Sequence, residues 1–245
     1  MRIELDTHTH TLASGHAYST ITEMITAARN KGLKLLAITE HAPAMPGSCK
    51  EFYFYNLKIL PRDRGDIEVL FGVELNVMDY NGTLDLADWY IDCTDLRIAS
   101  FHPPCLKPGT IEENTRAMIQ VIHNPRVDIL GHPDDGRYPL DYEAVVKEAK
   151  KYGKIIELNN NSMSELNSRT NARENDKILL ELCRRYEVPI VMNSDAHADF
   201  MVGDLSDAEA LVEELAFPEE LVLNTSAEQF KEQIRQGRQK AASLQ

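Results

Sequence analysis

The sequence predicts an α/β barrel of seven parallel strands. Seven short apolar runs each alternate with an amphipathic helical stretch, the pattern of parallel strands joined by helical crossovers. Polar residues able to bind metal follow six of those runs, and they converge only if the strand ends surround one mouth. An open doubly wound sheet would gather just the few beside its switch point, and the chain carries no Gly-rich dinucleotide fingerprint or Walker-type phosphate loop. At 245 residues, with no linker composition, residues 1–245 read as one domain.

The first strand is the opening stretch, where Ile3 and Leu5 alternate with polar residues and bring His8 and His10 onto one face at the strand's end. Thr20 and Glu23 form a capping-box signature for a helix carrying Ile21, Met24, Ile25 and Ala28 to Lys31, with Gly32 as the stop. Residues 33–39 are a nearly continuous apolar run, a strand covered on both faces, leading to Glu40 and His41. A Pro-, Gly- and charge-rich segment, 42–66, holds a short helix near 53–60, and the third strand, 67–73, ends at Glu74. Asn81-Gly82 marks a turn, 84–91 a short helix, and 96–101 a fourth strand ending at His102. A helix over 111–123 precedes the fifth strand, 127–131, which ends at His132. Asp141 caps a helix to Lys151 that Gly153 closes, and the sixth strand, 154–158, opens into Asn159, Asn160 and Asn161. A helix over 172–186 leads to the seventh strand, 189–192, followed by Asp195 and His197, and helices near 207–215 and 227–236 end the chain with solvated charged faces.

Composition narrows the function classes. A formal net charge of -13 disfavours broad electrostatic binding to long nucleic acid or anionic membrane. With no run of eighteen apolar residues and no basic, apolar start of an export signal, a soluble cytoplasmic protein is expected. Cys49, Cys93, Cys105 and Cys183 form no Cys-x-x-Cys pair and read as reduced thiols; Cys105, three residues after His102, is more simply packed than ligating.

Seven of the eight histidines, with Glu74 and Asp195, fall at or just after strand ends. His123 is the exception, placed at a helix C-terminus where a cation suits the dipole. Any one of these histidines could be an ordinary surface residue. Seven imidazoles converging on one mouth instead read as nitrogen ligands for zinc, manganese or iron.

The pattern Asp6-x-His8-x-His10, His16, Thr39-Glu40-His41, Gly72-Val73-Glu74, Ser100-Phe101-His102, Gly131-His132-Pro133 and Ser194-Asp195-Ala196-His197 resembles the PHP (polymerase and histidinol phosphatase) family, in particular its small single-domain phosphatases. The resemblance spans residues 3 to about 205 and fills all nine metal-ligand positions with suitable residue types. It implies a distorted seven-stranded barrel with a trinuclear site, most often of zinc, with manganese or iron as alternatives. It implies further that His8, His10, Glu74 and Asp195 surround one ion, that His16, His41 and His197 hold a second, and that Glu74 bridges to a third held by His102 and His132. Asp6 would orient a histidine through its other ring nitrogen. Arg169 lies in a stretch, Asn161-Ser162, Arg169 and Asn175, that matches the relatives, and is expected to bind phosphate. Residues 170–173, Thr-Asn-Ala-Arg, depart from that pattern; Arg173 either substitutes or begins the next helix.

Three divalent ions against two carboxylates leave a surplus of about +4, which attracts an anion although the surface is acidic. A phosphate monoester suits it better than a neutral amide or lactone, with attack by a metal-bridging hydroxide and no protein nucleophile. The expected activity is therefore phosphatase or phosphoesterase action on a small phosphorylated metabolite, with Glu74, Asp195 and Arg169 as the catalytic residues. An amidohydrolase-type hydrolase and a non-catalytic metal-binding module are the alternatives, and a nuclease of this kind would suit short substrates rather than long strands. Homo-oligomers, trimers among them, are implied by some relatives.

Overall fold

The computed structural model describes residues 1–164 and 167–244; Gln245, the last residue of the expected single domain, lies outside them. Seven strands form a nearly closed barrel in chain order, every neighbouring pair parallel. They are β1 (Leu5–Asp6), β2 (Leu35–His41), β3 (Glu68–Asn76), β4 (Arg97–Ser100), β5 (Ile129–Leu130), β6 (Ile155–Asn159) and β7 (Ile190–Asn193). The helices are α1 (Ile21–Asn30), α2 (Glu51–Asn56), α3 (Asp88–Ile91), α4 (Ile111–His123), α5 (Tyr142–Tyr152), α6 (Ala172–Tyr186), α7 (Ser206–Glu214) and α8 (Ala227–Ser243).

The seam between β1 and β7 has little regular pairing. A single parallel bridge, Thr9 with Ala196, crosses it, and the Asn193 side chain completes the join by accepting from the Thr7 N–H at 2.8 Å. The strands therefore part at the seam, which is the distortion the resemblance implies.

Two apolar layers hold the barrel. Leu5, Leu35, Ala37, Ile98, Ile129, Ile155 and Val191 fill the interior and meet Phe230 and Ile234 of α8, which plugs the N-terminal end. A larger layer packs the outward strand faces against the helices, for example Phe71, Val73, Met118, Val121, Leu179 and Met192. Burying every residue of β2 and β6 explains why those runs read as continuously apolar.

Local chemistry ends the helices as expected in several places. Thr20 and Glu23 form a complete capping box, the Asp141 carboxylate accepts from the Ala144 N–H, and Gly153 closes α5 with φ at 70°. The differences lie in lengths. β3 continues past Glu74 to Asn76 because Asn76 still pairs with Ser100 of β4. Only Leu5–Asp6 of the opening stretch form a regular strand, since across the seam the stretch pairs through the bridge at Thr9 alone. α8 runs seven residues beyond the expected end at Gln236, because Ala241 still buries against the core.

Candidate metal centre

Glu74 is the centre of the site. Its side chain is buried, and five ring nitrogens approach its two oxygens. His132 Nε2 and His102 Nε2 lie 3.0 and 3.2 Å from Oε1, while His41 Nδ1, His8 Nε2 and His10 Nε2 lie 2.6, 3.4 and 3.5 Å from Oε2. Asp195 Oδ1 faces the same two rings of the opening stretch, 3.7 Å from His8 and 3.4 Å from His10. The His10 ring packs 4.2 Å from that of His41 and 4.4 Å from that of His197. His16 stands outermost and exposed, its ring 4.8 Å from His41 and 4.9 Å from His197.

The hydrogen bonds at the outer ring nitrogens fix which nitrogen carries a proton. His8 Nδ1 lies 2.7 Å from the Glu157 carboxylate, His102 Nδ1 2.7 Å from Asn76 Oδ1, and His197 Nδ1 2.9 Å from the Asp195 carbonyl. Each of those partners can only accept, so each Nδ1 must donate. The Asn76 amide is oriented by its own donation to Asp85 at 2.7 Å. His10 Nδ1 meets Ser14 Oγ at 3.1 Å, and that hydroxyl donates onward to Glu40. In all four rings the Nε2 lone pair is left for the interior.

That arrangement gives a test of fit for metal. His8 Nε2, His10 Nε2, His41 Nδ1 and Glu74 Oε2 are buried without a hydrogen-bond partner, although they crowd together. Lone pairs facing lone pairs in a buried pocket require cations between them. Three compact sets of ligand atoms result: His8, His10 and Glu74; His10, His41 and His197; and His41, Glu74 and His102. The residues present thus fit a cluster of borderline, nitrogen- and oxygen-preferring divalent ions such as zinc. The sets overlap through Glu74, the expected bridge, and also through His10 and His41, so adjacent ligand groups share walls. His16 joins none of the three sets.

Electrostatics follow from the crowding. Burial disfavours the His8 imidazolium, yet Glu157, Glu74 and Asp195 outweigh it and hold the ring well above its ordinary pKa. Burial, then the neighbouring His41 and His197, push His10 well below its ordinary value and His16 down to about 4. Burial works against the Glu74 and Asp195 carboxylates, but His102, His8 and His41 hold Glu74, and His8, His10 and Arg169 hold Asp195, well below the usual range.

Backbone geometry positions two of these groups at a cost. His132 and Asp195 adopt positive φ, 29° and 51°, a region that costs a non-glycine residue about 1–3 kcal/mol. Gly131 before His132 is required, because a Cβ there would fall 2.1 Å from Ser100 Oγ.

Two expectations, for Asp6 and Glu74, are corrected, and of the two readings of Arg173 the helical one holds. Asp6 orients no histidine ring: its buried carboxylate accepts from the Ser194 hydroxyl and N–H and from the Gly203 N–H, tying β1 to the loop after β7. The loop after β7 makes that choice, since it brings Ser194 and Gly203 within hydrogen-bond reach of the Asp6 carboxylate. Arg173 begins α6 and reaches Glu214 of α7, so it turns outward and cannot replace a lost phosphate contact. Glu74 sits inside β3 rather than at its end.

Arg169 is drawn inward, with Nη2 3.0 Å from Asp195 Oδ2 and Nη1 bonded to Asn159 Oδ1 and Ser162 Oγ. His123 pairs with Glu148 on the outer helices, away from the centre. The four cysteines are unbridged, and no set of ligand atoms among the described residues includes one.

Glu157, Glu40 and Asn76 are site residues the sequence reading passed over. Two of them had a signal: Glu157 is a charge inside an otherwise apolar, fully buried run, where only a paired group is tolerated. Glu40 precedes His41 in a strand whose every residue is buried.

The comparisons with known proteins agree with this geometry. A family model described as PHP domain matches residues 6–220. A chain from Caldicellulosiruptor saccharolyticus, named a probable phosphatase, is 47% identical over 96% of this chain and 97% of its own. One from Acetivibrio thermocellus with the same name is 44% identical over 98% of each. Among solved structures, a histidinol phosphate phosphatase from Lactococcus lactis, complexed with zinc, L-histidinol and phosphate, superposes with a TM-score of 0.61 at 17% identity, covering 88% of this chain and 94% of that one.

Proposed function

The chain belongs to the PHP domain family, and from that premise we propose that it is a metal-dependent phosphatase that hydrolyses small phosphate monoesters at a cluster of three divalent ions. The observation that carries this reading is the Glu74 carboxylate with five inward ring nitrogens around it, several of them buried and unpartnered. His8, His10, His16, His41, Glu74, His102, His132, Asp195 and His197 would hold the ions, with zinc the best match to the donor set. The name shared by the close relatives and the zinc and phosphate of the Lactococcus lactis structure support the same chemistry.

Bound divalent ions supply Lewis acidity toward phosphoryl oxygens and activate water at neutral pH. The chain's own residues do the remaining work. Glu74 and Asp195 stay ionised and bring negative charge where the inward lone pairs converge. Arg169 uses three of its five N–H donors on Asn159, Ser162 and Asp195, which fixes the guanidinium and leaves two donors for a phosphoryl oxygen. The near-burial of Arg169, whose side chain is only 9% exposed, favours a small substrate. The unbridged thiols suit work in the reducing cytoplasm.

Phosphate release from a panel of phosphate monoesters, run alongside elemental analysis of the purified protein, tests the proposal. The expected result is monoester turnover with close to three equivalents of metal. Turnover of amides or lactones with no phosphoester cleaved would defeat it.

A further inference from the structure

Strand β6 is the one strand whose end supplies none of the nine proposed ligands, yet it buries a carboxylate beside them. Glu157 sits in the middle of Ile155–Asn159 with both oxygens doubly engaged. Oε1 accepts from His8 Nδ1 at 2.7 Å and from Asn193 Nδ2 at 2.7 Å. Oε2 accepts from the His132 backbone N–H at 2.8 Å and from Asn159 Nδ2 at 3.1 Å. Asn159 in turn lies 3.3 Å from Asp195 Oδ2, and Asn193 spans the β1–β7 seam to the Thr7 N–H.

We infer that Glu157 is the positioning residue for metal capture by the opening stretch: it holds His8 as the Nδ1–H form, with Nε2 aimed at Glu74 and Asp195. This rests on the metal-centre reading above. A ring free to rotate or to carry its proton on Nε2 would present a hydrogen where a ligand lone pair is needed. The carboxylate also acts where the barrel is weakest. The seam between β1 and β7 has one backbone bridge, and Glu157 joins His8 on one side to Asn193 on the other. It ties the same ring to the strained backbone of His132 as well.

The chemistry of its four donors makes the residue specific. All four partners donate, so an isosteric amide must turn its NH2 toward two of them, and Glu157→Gln cannot satisfy the set in either orientation. Asparagine amides at 159 and 193 could flip, but Asn193 Oδ1 is already committed to the Thr7 N–H and hydroxyl. The His132 backbone N–H has no such freedom, and a His8 Nδ1 that turned acceptor would carry its proton on Nε2, where the ligand lone pair is needed.

The test compares wild type with Glu157→Gln, His8→Ala and the double variant, each loaded with zinc, for metal content and for zinc affinity against a competing chelator. The expected result is a Gln variant with native far-UV circular dichroism that binds zinc about 10- to 100-fold more weakly at one position. Its effect should be absent in the His8→Ala background, because the residue acts through that ring. Nitrogen-15 NMR of the wild-type histidines is the second measurement, and it works even where the Gln variant fails to fold. A His8 Nδ1–H coupled across the bond to Glu157 supports the inference. A bare Nδ1, a Gln variant with wild-type zinc affinity, or additive effects in the double variant would each overturn it. Wild type that carries no metal under conditions that avoid stripping overturns the metal-centre reading itself, which separates the two failures.

Discussion

His41 Nδ1 lies 2.6 Å from Glu74 Oε2, and the two atoms make no hydrogen bond. Such an approach is stable when both atoms direct lone pairs at a shared cation. The negative charge of Glu74, rather than its shape, is then what the ring nitrogens need around them. Glu74→Gln keeps the volume and removes the charge. It should lower kcat/KM for phosphate monoesters on the order of 10³-fold, the several kcal/mol expected of metal-assisted chemistry, and should lower metal content. Near-normal activity in that variant would show that Glu74 is not shared between ions.

Metal should compete with a proton at His8. Three carboxylates hold this ring well above its ordinary pKa, overcoming burial, so a proton competes there more strongly than at a free imidazole. A ligand must be deprotonated to bind metal, so binding expels that proton and affinity falls as pH falls. Calorimetric zinc titrations in buffers of different ionisation enthalpy should report net proton release at pH 7, shrinking at higher pH. Net uptake of protons would contradict the assignment.

Arg169 is anchored by Asp195, Asn159 and Ser162. A lysine there keeps the charge but loses the fork. Arg169→Lys is expected to lower kcat/KM about 10- to 100-fold, the worth of one or two charge-assisted hydrogen bonds, with metal content unchanged. Loss of metal together with activity would instead make Arg169 a support for Asp195.

Much of this could be read from the chain because the site is built from strand ends. Parallel strands bury both faces, so β2, β6 and β7 stand out as apolar runs, and the first polar residues beyond them are the ones the barrel mouth collects. Histidine pairs two apart, as in His8 and His10, need only the strand period to share a face. What could not be read was contact between residues far apart in sequence. Whether Asp6 turns to a ring or to Ser194 depends on the position of the loop after β7, 188 residues away. The Glu157–His8 pair spans 149 residues. The overlap among ligand groups arises from ring-to-ring distances that no spacing encodes.

Gly237 lies within α8, where a glycine normally costs stability, and its reason is contact with the end of α5. A Cβ at 237 would fall 2.4 Å from the Gly153 carbonyl oxygen. Gly153 cannot retreat, because it caps α5 in the left-handed conformation. Gly237→Ala gains about 1 kcal/mol of helix propensity but meets fixed backbone, and overpacking of this kind costs about 1–3 kcal/mol. Urea denaturation should show net destabilisation with metal content intact; a stabilised variant would mean that α8 shifts freely.

Lys154 is 1% exposed at the closed end of the barrel, its Nζ donating to the carbonyls of Asn124 and Val127 at 2.7 and 2.6 Å. Burial pushes its pKa from 10.5 to about 8, Asp128 opposing and Arg238 assisting. Between those two values the unfolded chain holds a proton that the folded protein has released, so stability from this group rises with pH across that window. Below about pH 8 both states are protonated and the full cost of the buried ammonium remains, on the order of 3 kcal/mol from the gap between the two values. A neutral amine still has two hydrogens for the two carbonyls, so deprotonation sacrifices neither bond. Lys154→Met removes the titration altogether. The stability of wild type relative to this variant, followed by urea denaturation from pH 7.5 to 10, should therefore move in favour of wild type by up to about 3 kcal/mol. A difference that stays flat across the window would place a full charge at Lys154 throughout and refute the shift.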